Sequence, residues 1–349
     1  MGAILGIESS CDDTAAAVLD SEGGLLSSVV SSQNDVHAKY GGVVPELASR
    51  QHLANLPRTV RAALERAGTD WRGIDRLAVT AGPGLLGSLL VGVSFGKAAA
   101  SALGLPAQAV NHIQAHLSSP WMEHPDLPYP ALVLVVSGGH SHLFLARSLD
   151  SVSLVAATRD DAAGEALDKI AKRLRLPYPG GPAIDRLADR GDPRAVPFSL
   201  PRMSSHSLDY SFSGLKTAAL HFMKRNALEP SADPDMDHLP QWEYDLIASF
   251  QKRVVDHLIQ RIRKAAVFLR PSSLAMAGGV ACNRLLRHRL TELGEELGLR
   301  TAYPSPSLCT DNAAMVASLA HLSARAGAAS TPLVDAFPTS RWDHLTPKP

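Results

Sequence analysis

Residues 132–146 read LVLVVSGGHSHLFLA. Five branched apolar residues lead into the polar turn Ser137-Gly138-Gly139-His140, and a second apolar run follows at 142–146. A short Leu/Val run closed by Gly-Gly predicts a buried strand, a tight turn and a partner strand. Residues 152–157 (VSLVAA) supply a third strand. The same theme opens the chain. Runs 3–8, 15–19 and 25–32 are strand-like, with Gly23-Gly24 turning between the second and third. Two meanders, each with a polar turn after its first strand, predict a duplicated architecture.

Between the meanders the pattern predicts a helix from Pro45 through Leu64, a strand at 77–80, a helix at 85–103 after Gly82-Pro83-Gly84, and a strand at 107–110. Prolines 120, 125, 128 and 130 mark a boundary. The expected division is 1–130 for a first lobe, 131–309 for a second, a helix near 310–326 that packs back on the first, and an irregular tail at 327–349. Beyond the second meander the chain is mainly helical, over 162–174, 183–189, 215–224, 244–269, 284–297 and 312–324, with one strand at 274–277. Residues 192–209 and 228–239 read as proline-rich loops. Strands alternating with helices place the chain in the α/β class.

With 349 residues, 45% hydrophobic and 19% charged, the composition is that of a globular protein with room for two cores. Lys+Arg and Asp+Glu number 34 each, so no overall field draws the chain to nucleic acid or a membrane. Nucleic-acid contact therefore needs a local basic patch. Arg253, Arg261, Arg263, Lys264 and Arg270 form one candidate, and Arg284, Arg287 and Arg289 another. Cys11, Cys282 and Cys309 make no disulfide framework and fit a reducing cytoplasm. The first residues carry no basic flank or cleavage site, and no stretch approaches the ~18 uninterrupted apolar residues of a membrane span. The expected location is cytoplasmic, with no membrane partner.

Several segments carry chemistry. In residues 111–116 (NHIQAH), His112 and His116 stand four apart, on one face of a helix. Neutral imidazoles bind borderline metals such as Zn2+ and Fe2+, although a hydrogen-bonded pair has the same spacing. Asp311, just before the last helix, reads either as an N-cap or as a carboxylate for those histidines. Residues 8–14 (ESSCDDT) lie between two strands. Their hydroxyls and amides suit a phosphate, and Glu8, Asp12 and Asp13 suit a cation or a reacting group; an ordinary polar turn is the plainer reading. Gly138 and Gly139 let the backbone approach an anion, and equally suit a hairpin. Asp161, Glu165 and Asp168 share a helix face, able to hold ribose hydroxyls or to complement the helix dipole. Gly180-Gly181 with Asp185, and Gly278-Gly279 with Asn283, set bare backbone at helix entrances where a base or ribose can lie.

Taken together these segments resemble the bacterial TsaD (formerly Gcp) tRNA N6-adenosine threonylcarbamoyltransferases. The matching stretches include residues 6–14, YGGVVPELAS at 40–49, 112–116, 136–140, 160–169, 178–182, SFSGLKT at 211–217, 277–283 and 309–312. The resemblance implies a two-lobed actin/Hsp70/sugar-kinase-like fold, in which duplicated ribonuclease-H-like lobes enclose a nucleotide. It implies transfer of the threonylcarbamoyl group from threonylcarbamoyl-adenylate to N6 of adenosine 37 in tRNAs reading codons that begin with A, with release of AMP. Carried over by position, His112, His116 and Asp311 hold one divalent ion, Fe(II) or Zn(II). Val135, Val136, Ser137, Gly138, Gly139, His140, Asp168, Gly181, Asp185 and Asn283 contact the adenylate or an ATP-type nucleotide. Glu8, Asp12 and Asp13 lie near the reacting end. The implied partners are tRNA, a smaller paralogue of the same fold (TsaB-like) and a P-loop ATPase (TsaE-like); the chain itself has no Walker A sequence.

Three other readings compete. A zincin protease needs Glu directly after the first histidine, and Ile113 stands there. A small-molecule kinase would leave the histidine pair without a purpose. A non-enzymatic nucleotide-gated scaffold uses neither the metal set nor transfer.

Overall fold

The apolar run at the start of the chain forms β1 (Ala3–Glu8), which turns back into β2 (Asp13–Leu19) and then β3 (Leu25–Ser32). A computed structural model describes residues 2–200, 207–232, 234–327, 331–333, 335–339 and 342. Residues 201–206 of the expected 192–209 loop, residue 233 of the 228–239 loop and much of the expected tail lie outside them.

Two compact units emerge. The first comprises Met1–Asp126, Leu149–Ser151 and Pro304–Trp342; the second contains Leu127–Ser148 and Val152–Tyr303. Pro304–Cys309 thus falls with the first unit, whereas the sequence had grouped it with 131–309.

In the first unit, α1 (Asn34–Ala38) and α2 (Pro45–Arg66) lead to β4 (Ile74–Gly82), α3 (Leu86–Leu103) and β5 (Ala107–Asn111). Next come α4 (His112–Ser118) and α5 (Pro120–Glu123); α11 (Pro306–Cys309) and α12 (Ala313–Arg325) return to this unit late in the chain. The sheet order is β3-β2-β1-β4-β5. β1 is antiparallel to β2 and parallel to β4, and β5 continues parallel to β4. Leu56, Val60 and Leu64 of α2 and Val93 of α3 bury one face against Leu5, Ile7, Leu77 and Val79. Each such side chain contributes about 1.5–3 kcal/mol when removed from water. α12 covers the other face, its Met315, Val316 and Leu319 packed on Ile4, Ala78 and Val110.

α3 is long and apolar enough by composition to cross a membrane, where the sequence led us to expect no such segment. Its small residues explain the composition. A Cβ on Gly92 would meet Ser9 Oγ at 2.3 Å, and one on Gly96 would meet Val79 at 2.6 Å, so the helix lies close on the sheet. The expected irregular tail also changes character. Thr331 accepts from Ala109 N–H at 2.8 Å, Leu333 N–H donates to Ala107 at 3.1 Å and Phe337 N–H to Ala81 at 2.7 Å. The backbone groups of edge strand β5 recruit this segment, and Leu333 enters the core.

The second unit repeats the plan. β6 (Ala131–Val136), β7 (Ser141–Ala146) and β8 (Val152–Ala157) form the meander; β9 (Ser273–Ala277) and β10 (Arg300–Ala302) add parallel strands beside β6. The order β10-β9-β6-β7-β8 reproduces that of the first sheet. All six residues of β6 are buried, as a central strand covered on both faces requires. The helices are α6 (Ala163–Arg173), α7 (Gly180–Leu187), α8 (Ser213–Arg225), α9 (Gln241–Leu269) and α10 (Arg284–Leu297). α7 starts three residues before the expected position because Gly180-Gly181 forms its first turn rather than preceding it.

Candidate functional site

In the first unit the carboxyl ends of the three parallel strands converge, as sites in open α/β sheets do. Glu8 ends β1, Thr80 lies near the end of β4, and His112 follows β5 directly. Asn111 caps α4 by accepting from Gln114 N–H at 3.1 Å, which starts the helix at His112 and stacks His116 one turn on. The two rings meet edge to face, centroids 4.7 Å apart, and both are buried.

The third donor arrives by packing. Gly6 lets the α12 terminus approach β1, since a Cβ there would meet Ala313 O at 2.4 Å. Asn312 takes the N-cap role, accepting from Met315 N–H at 2.9 Å. That resolves the two readings of Asp311 and leaves its carboxylate to the histidines. Asp311 Oδ1 lies 2.9 Å from His116 Nε2 and 3.7 Å from His112 Nε2. One ligand atom from each of His112, His116 and Asp311 fits within 4.8 Å of the others.

Glu8 braces this set. It is fully buried, and its Oε2 faces His112 Nδ1 at 3.1 Å while accepting from Thr80 Oγ at 2.6 Å. Its Oε1 accepts from Ser10 N–H at 2.6 Å. A carboxylate on Nδ1 fixes a proton there and sets Nε2 on the Asp311 side, the usual outer-shell arrangement of a metal-bound histidine. Burial disfavours a charged His112, but Glu8 and Asp311 outweigh it and push its pKa up to about 9. Burial, then Asp311, pushes Asp13 up to about 7, and burial also raises Asp12. Asp13 Oδ1 and His116 Nδ1 are buried without a hydrogen-bond partner among the described residues. This excess of negative charge suits a cation, and two imidazoles with one carboxylate suit Zn(II) or Fe(II) and leave coordination positions open.

In the second unit, four segments meet beyond the carboxyl ends of β6 and β9. The turn after β6 is closed by Ser137 N–H donating to His140 O at 2.8 Å and by His140 N–H donating to Ser137 Oγ at 3.2 Å. The α6 start sits against that turn, because a Cβ on Gly164 would meet Ser137 O at 2.6 Å. Gly278, at φ +94°, lies as close to Val136 O, at 2.3 Å. Asp168 Oδ1 accepts from Gly180 N–H at 2.8 Å and so ties α7 to α6. Added side-chain atoms on Gly138, Gly139 and Gly181 would meet open space.

The sequence pattern of the family described as "TsaD: tRNA N6-adenosine threonylcarbamoyltransferase" matches residues 24–318. A tRNA N6-adenosine threonylcarbamoyltransferase of Thermosipho africanus is 44% identical over 335 residues, 96% of this chain and 98% of that protein. One of Geotalea uraniireducens is 48% identical over 314 residues, 90% and 89% of the two chains. The chain belongs to this family. As a threonylcarbamoyltransferase it is a transferase that modifies tRNA. Among solved structures, HypF of T. kodakarensis has a TM-score of 0.59 at 14% identity, covering 94% of this chain and 48% of that one. Component A of the Acidaminococcus fermentans (R)-2-hydroxyglutaryl-CoA dehydratase has 0.54 at 14%, covering 93% and 100%. These likenesses concern the fold, which is of the actin/Hsp70/sugar-kinase class.

In this threonylcarbamoyltransferase the first unit gathers Glu8, Asp12, Asp13, His112, His116 and Asp311. Glu8, grouped on sequence with the acids at the reacting end, is turned inward to His112. In the second unit Val135 and Val136 are fully buried in the sheet and offer only backbone. Asp185 is engaged by Arg284 Nε at 2.9 Å and Gln251 at 3.2 Å, and Asn283 caps α10 through Leu286 N–H at 2.9 Å. Asp161, Glu165 and Asp168 do not act as one cluster: the first two hold Lys169, and Asp168 holds Gly180.

Sequence reasoning assigned Thr80, His52 and Gly164 no role of their own, and it offered the Ser10 hydroxyl to a phosphate, whereas that oxygen lies 3.1 Å from His112 Nδ1. His52 of α2 donates through Nε2 to Cys11 O at 3.0 Å and accepts from Thr14 Oγ at 2.7 Å, pinning the β1–β2 turn from both sides. Thr80 had a signal, its place at the end of a strand before Gly82-Pro83-Gly84. His52 had none.

Proposed function

We propose that the chain moves the threonylcarbamoyl group from threonylcarbamoyl-adenylate to N6 of adenosine 37 in tRNAs reading codons that begin with A, and that His112, His116 and Asp311 hold one divalent ion, Fe(II) or Zn(II), for that step. The observation that carries this is the meeting of donors 195 residues apart in sequence, His116 and Asp311, beside a histidine already oriented by Glu8.

When bound, such an ion supplies Lewis acidity toward a carbamoyl or phosphate oxygen. The rest falls to side chains. Glu8 is a positioning residue that sets the His112 tautomer, held in turn by Thr80 and Ser10. Asp13, its pKa pushed up to about 7, suits proton transfer near neutrality, and Asp12 furnishes a second carboxylate beside it. In the reaction the carbamoyl carbon loses its bond to the phosphate oxygen, AMP leaves with that electron pair, and a C–N6 bond forms as N6 gives up a proton. The N6 lone pair is delocalised into the ring, so activation of the carbonyl and positioning carry most of the acceleration.

The adenylate, or an ATP-type nucleotide, is assigned to the second unit, with its phosphate at Ser137, Gly138, Gly139 and His140 and its nucleoside along Gly181, Asp168, Asp185 and Asn283. Glycines open to space beside a helix start support this. The absence of a Walker A sequence agrees with a separate P-loop ATPase, and the proposed assembly includes a smaller paralogue of the same fold in the cytoplasm.

A transfer assay on unmodified tRNA tests the reading, with synthetic threonylcarbamoyl-adenylate and the partner proteins supplied and nucleosides read by mass spectrometry. Wild type should form modified adenosine, while His112→Ala and Asp311→Ala should lose both bound metal and product. Full product from His112→Ala would remove the metal centre from the mechanism. No product from wild type with every partner present would remove the transferase assignment to this chain.

A further inference from the structure

The basic regions legible in the sequence are mostly engaged within the fold. Arg261 is buried and donates to Ser207 O, Arg263 pairs with Glu296, and Arg253 lies near Asp256. Arg284 pairs with Asp185 and Asp189, Arg287 lies over Tyr303, and Arg289 pairs with Glu292. A different surface carries cations that the sequence scatters. α6 ends in Lys169, Lys172 and Arg173, followed by Arg175, with no acid from 169 to 184. α8 carries Lys216, His221, Lys224 and Arg225, with no acid from 213 to 228.

The second unit packs these helices together. Lys169, Lys172, Arg173, Arg175, Lys216 and Leu220 line one open concavity of about 380 Å3. Asp161 holds Lys169 and Lys216 at 2.8 and 2.6 Å, which fixes two of its walls. Arg173, Arg175, Lys224 and Arg225 are exposed and have no ion-pair partner among the described residues. Lys216, Leu220 and Lys224 follow one face of α8 at four-residue spacing, so the basic line continues along the helix. On the other flank of α8, Phe222 and His221 line a larger groove beside Lys224 and Arg225.

Cations in a last turn also complement the helix dipole. Arg175 lies beyond that turn, at φ 59°, where glycine is the default residue.

We infer that the α6–α8 face of the second unit is where the tRNA docks, its phosphate backbone on Arg173, Arg175, Lys224 and Arg225. The inference rests on the proposed tRNA substrate and adds the surface that holds it. Several cations at a concave face, with the exposed His221 and the half-buried Phe222 on the other flank of α8, match a phosphate chain carrying unpaired bases. Two stretches, 169–184 and 213–228, that present cations and no acid match the continuous charge of a phosphate backbone more closely than the mixed charges of a protein surface.

The test is tRNA binding by the full chain across a salt series. Wild type is compared with Arg173→Gln/Arg175→Gln, Lys224→Gln/Arg225→Gln and the charge-keeping Arg173→Lys/Arg175→Lys, each checked for an unchanged melting curve. Each Gln pair should weaken binding about tenfold and lower the slope of log affinity against log salt by about two, and the Lys pair should restore both. Unchanged affinity and slope in both Gln pairs would overturn the inference. That includes the case in which transfer drops only with partner proteins present, which would give the face to an acidic protein. Wild type that binds tRNA with this pattern yet transfers nothing would overturn the proposed reaction and leave the docking face standing.

Discussion

Glu8 Oε2 lies 3.1 Å from His112 Nδ1, although 104 residues separate them in sequence. Burial raises the pKa of Glu8, but the His112 charge outweighs it and holds the carboxyl below its ordinary value. The pair is therefore an ionised carboxylate facing the Nδ1–H of His112, and it leaves Nε2 on the side of His116 and Asp311.

Glu8→Gln keeps the shape and removes the charge. We expect metal affinity to fall about 10- to 100-fold, as for other outer-shell partners of ligating histidines, with the fold intact. Competition against a chelator measures it. Affinity equal to wild type would show that Glu8 does not orient His112 for an ion.

Asp13 gives a pH signature. Its folded pKa, about 7 against an ordinary 3.8, means that ionising it opposes folding. The penalty is absent below pH ~4, grows as pH rises to ~7 and is constant above, with a ceiling of ~4 kcal/mol. Asp13→Asn should melt higher than wild type as metal-free protein at pH 8, the gain shrinking toward pH 5, while transfer slows. An equal gain at both pH values would contradict this account.

Gly164→Ala forces a methyl against Ser137 O and the Gly138 backbone, 2.6 and 2.8 Å from its Cβ. Backbone neighbours cannot rotate away, so we expect a loss of about 1–3 kcal/mol and weaker AMP binding. Calorimetry of AMP against the variant reads this; unchanged affinity would take the 137–140 turn out of the nucleotide site.

His257 governs acid tolerance of the second unit. It is fully buried, accepts from Ser211 N–H at 3.2 Å, and burial with nearby Arg261 pushes its pKa down to about 4. A lowered folded pKa means stability present above ~6.5 and lost as pH falls toward 4, up to ~3 kcal/mol. Urea midpoints of wild type should drop between pH 7 and 5 more steeply than those of His257→Gln. Parallel slopes would refute it.

The class and the repeated meander were readable because buried strands announce themselves in continuous Val/Leu runs such as 132–136, and polar turns interrupt them at fixed places. The His112/His116 pair was readable because helical spacing is local. Less legible were the short β10, with three residues and no apolar run, and the docking of Thr331 and Leu333 on β5, which depends on an edge that only the assembled sheet presents. Arg263 and Arg284 looked like free cations because their partners, Glu296 and Asp185, lie 33 and 99 residues away.

The sequence by itself determined the longer elements, the duplication and the family, since periodicity, turn residues and ordered motifs are properties of neighbouring positions. The tertiary structure alone decided what each acid does. Asp311 reaches the histidines because Gly6 admits α12 and Asn312 takes the cap; Glu8 turns inward because Thr80 and His112 end adjacent parallel strands. Those outcomes depend on which side chains share a dry space, and burial and distance, which set the charge and tautomer of each group, exist only once the chain has packed.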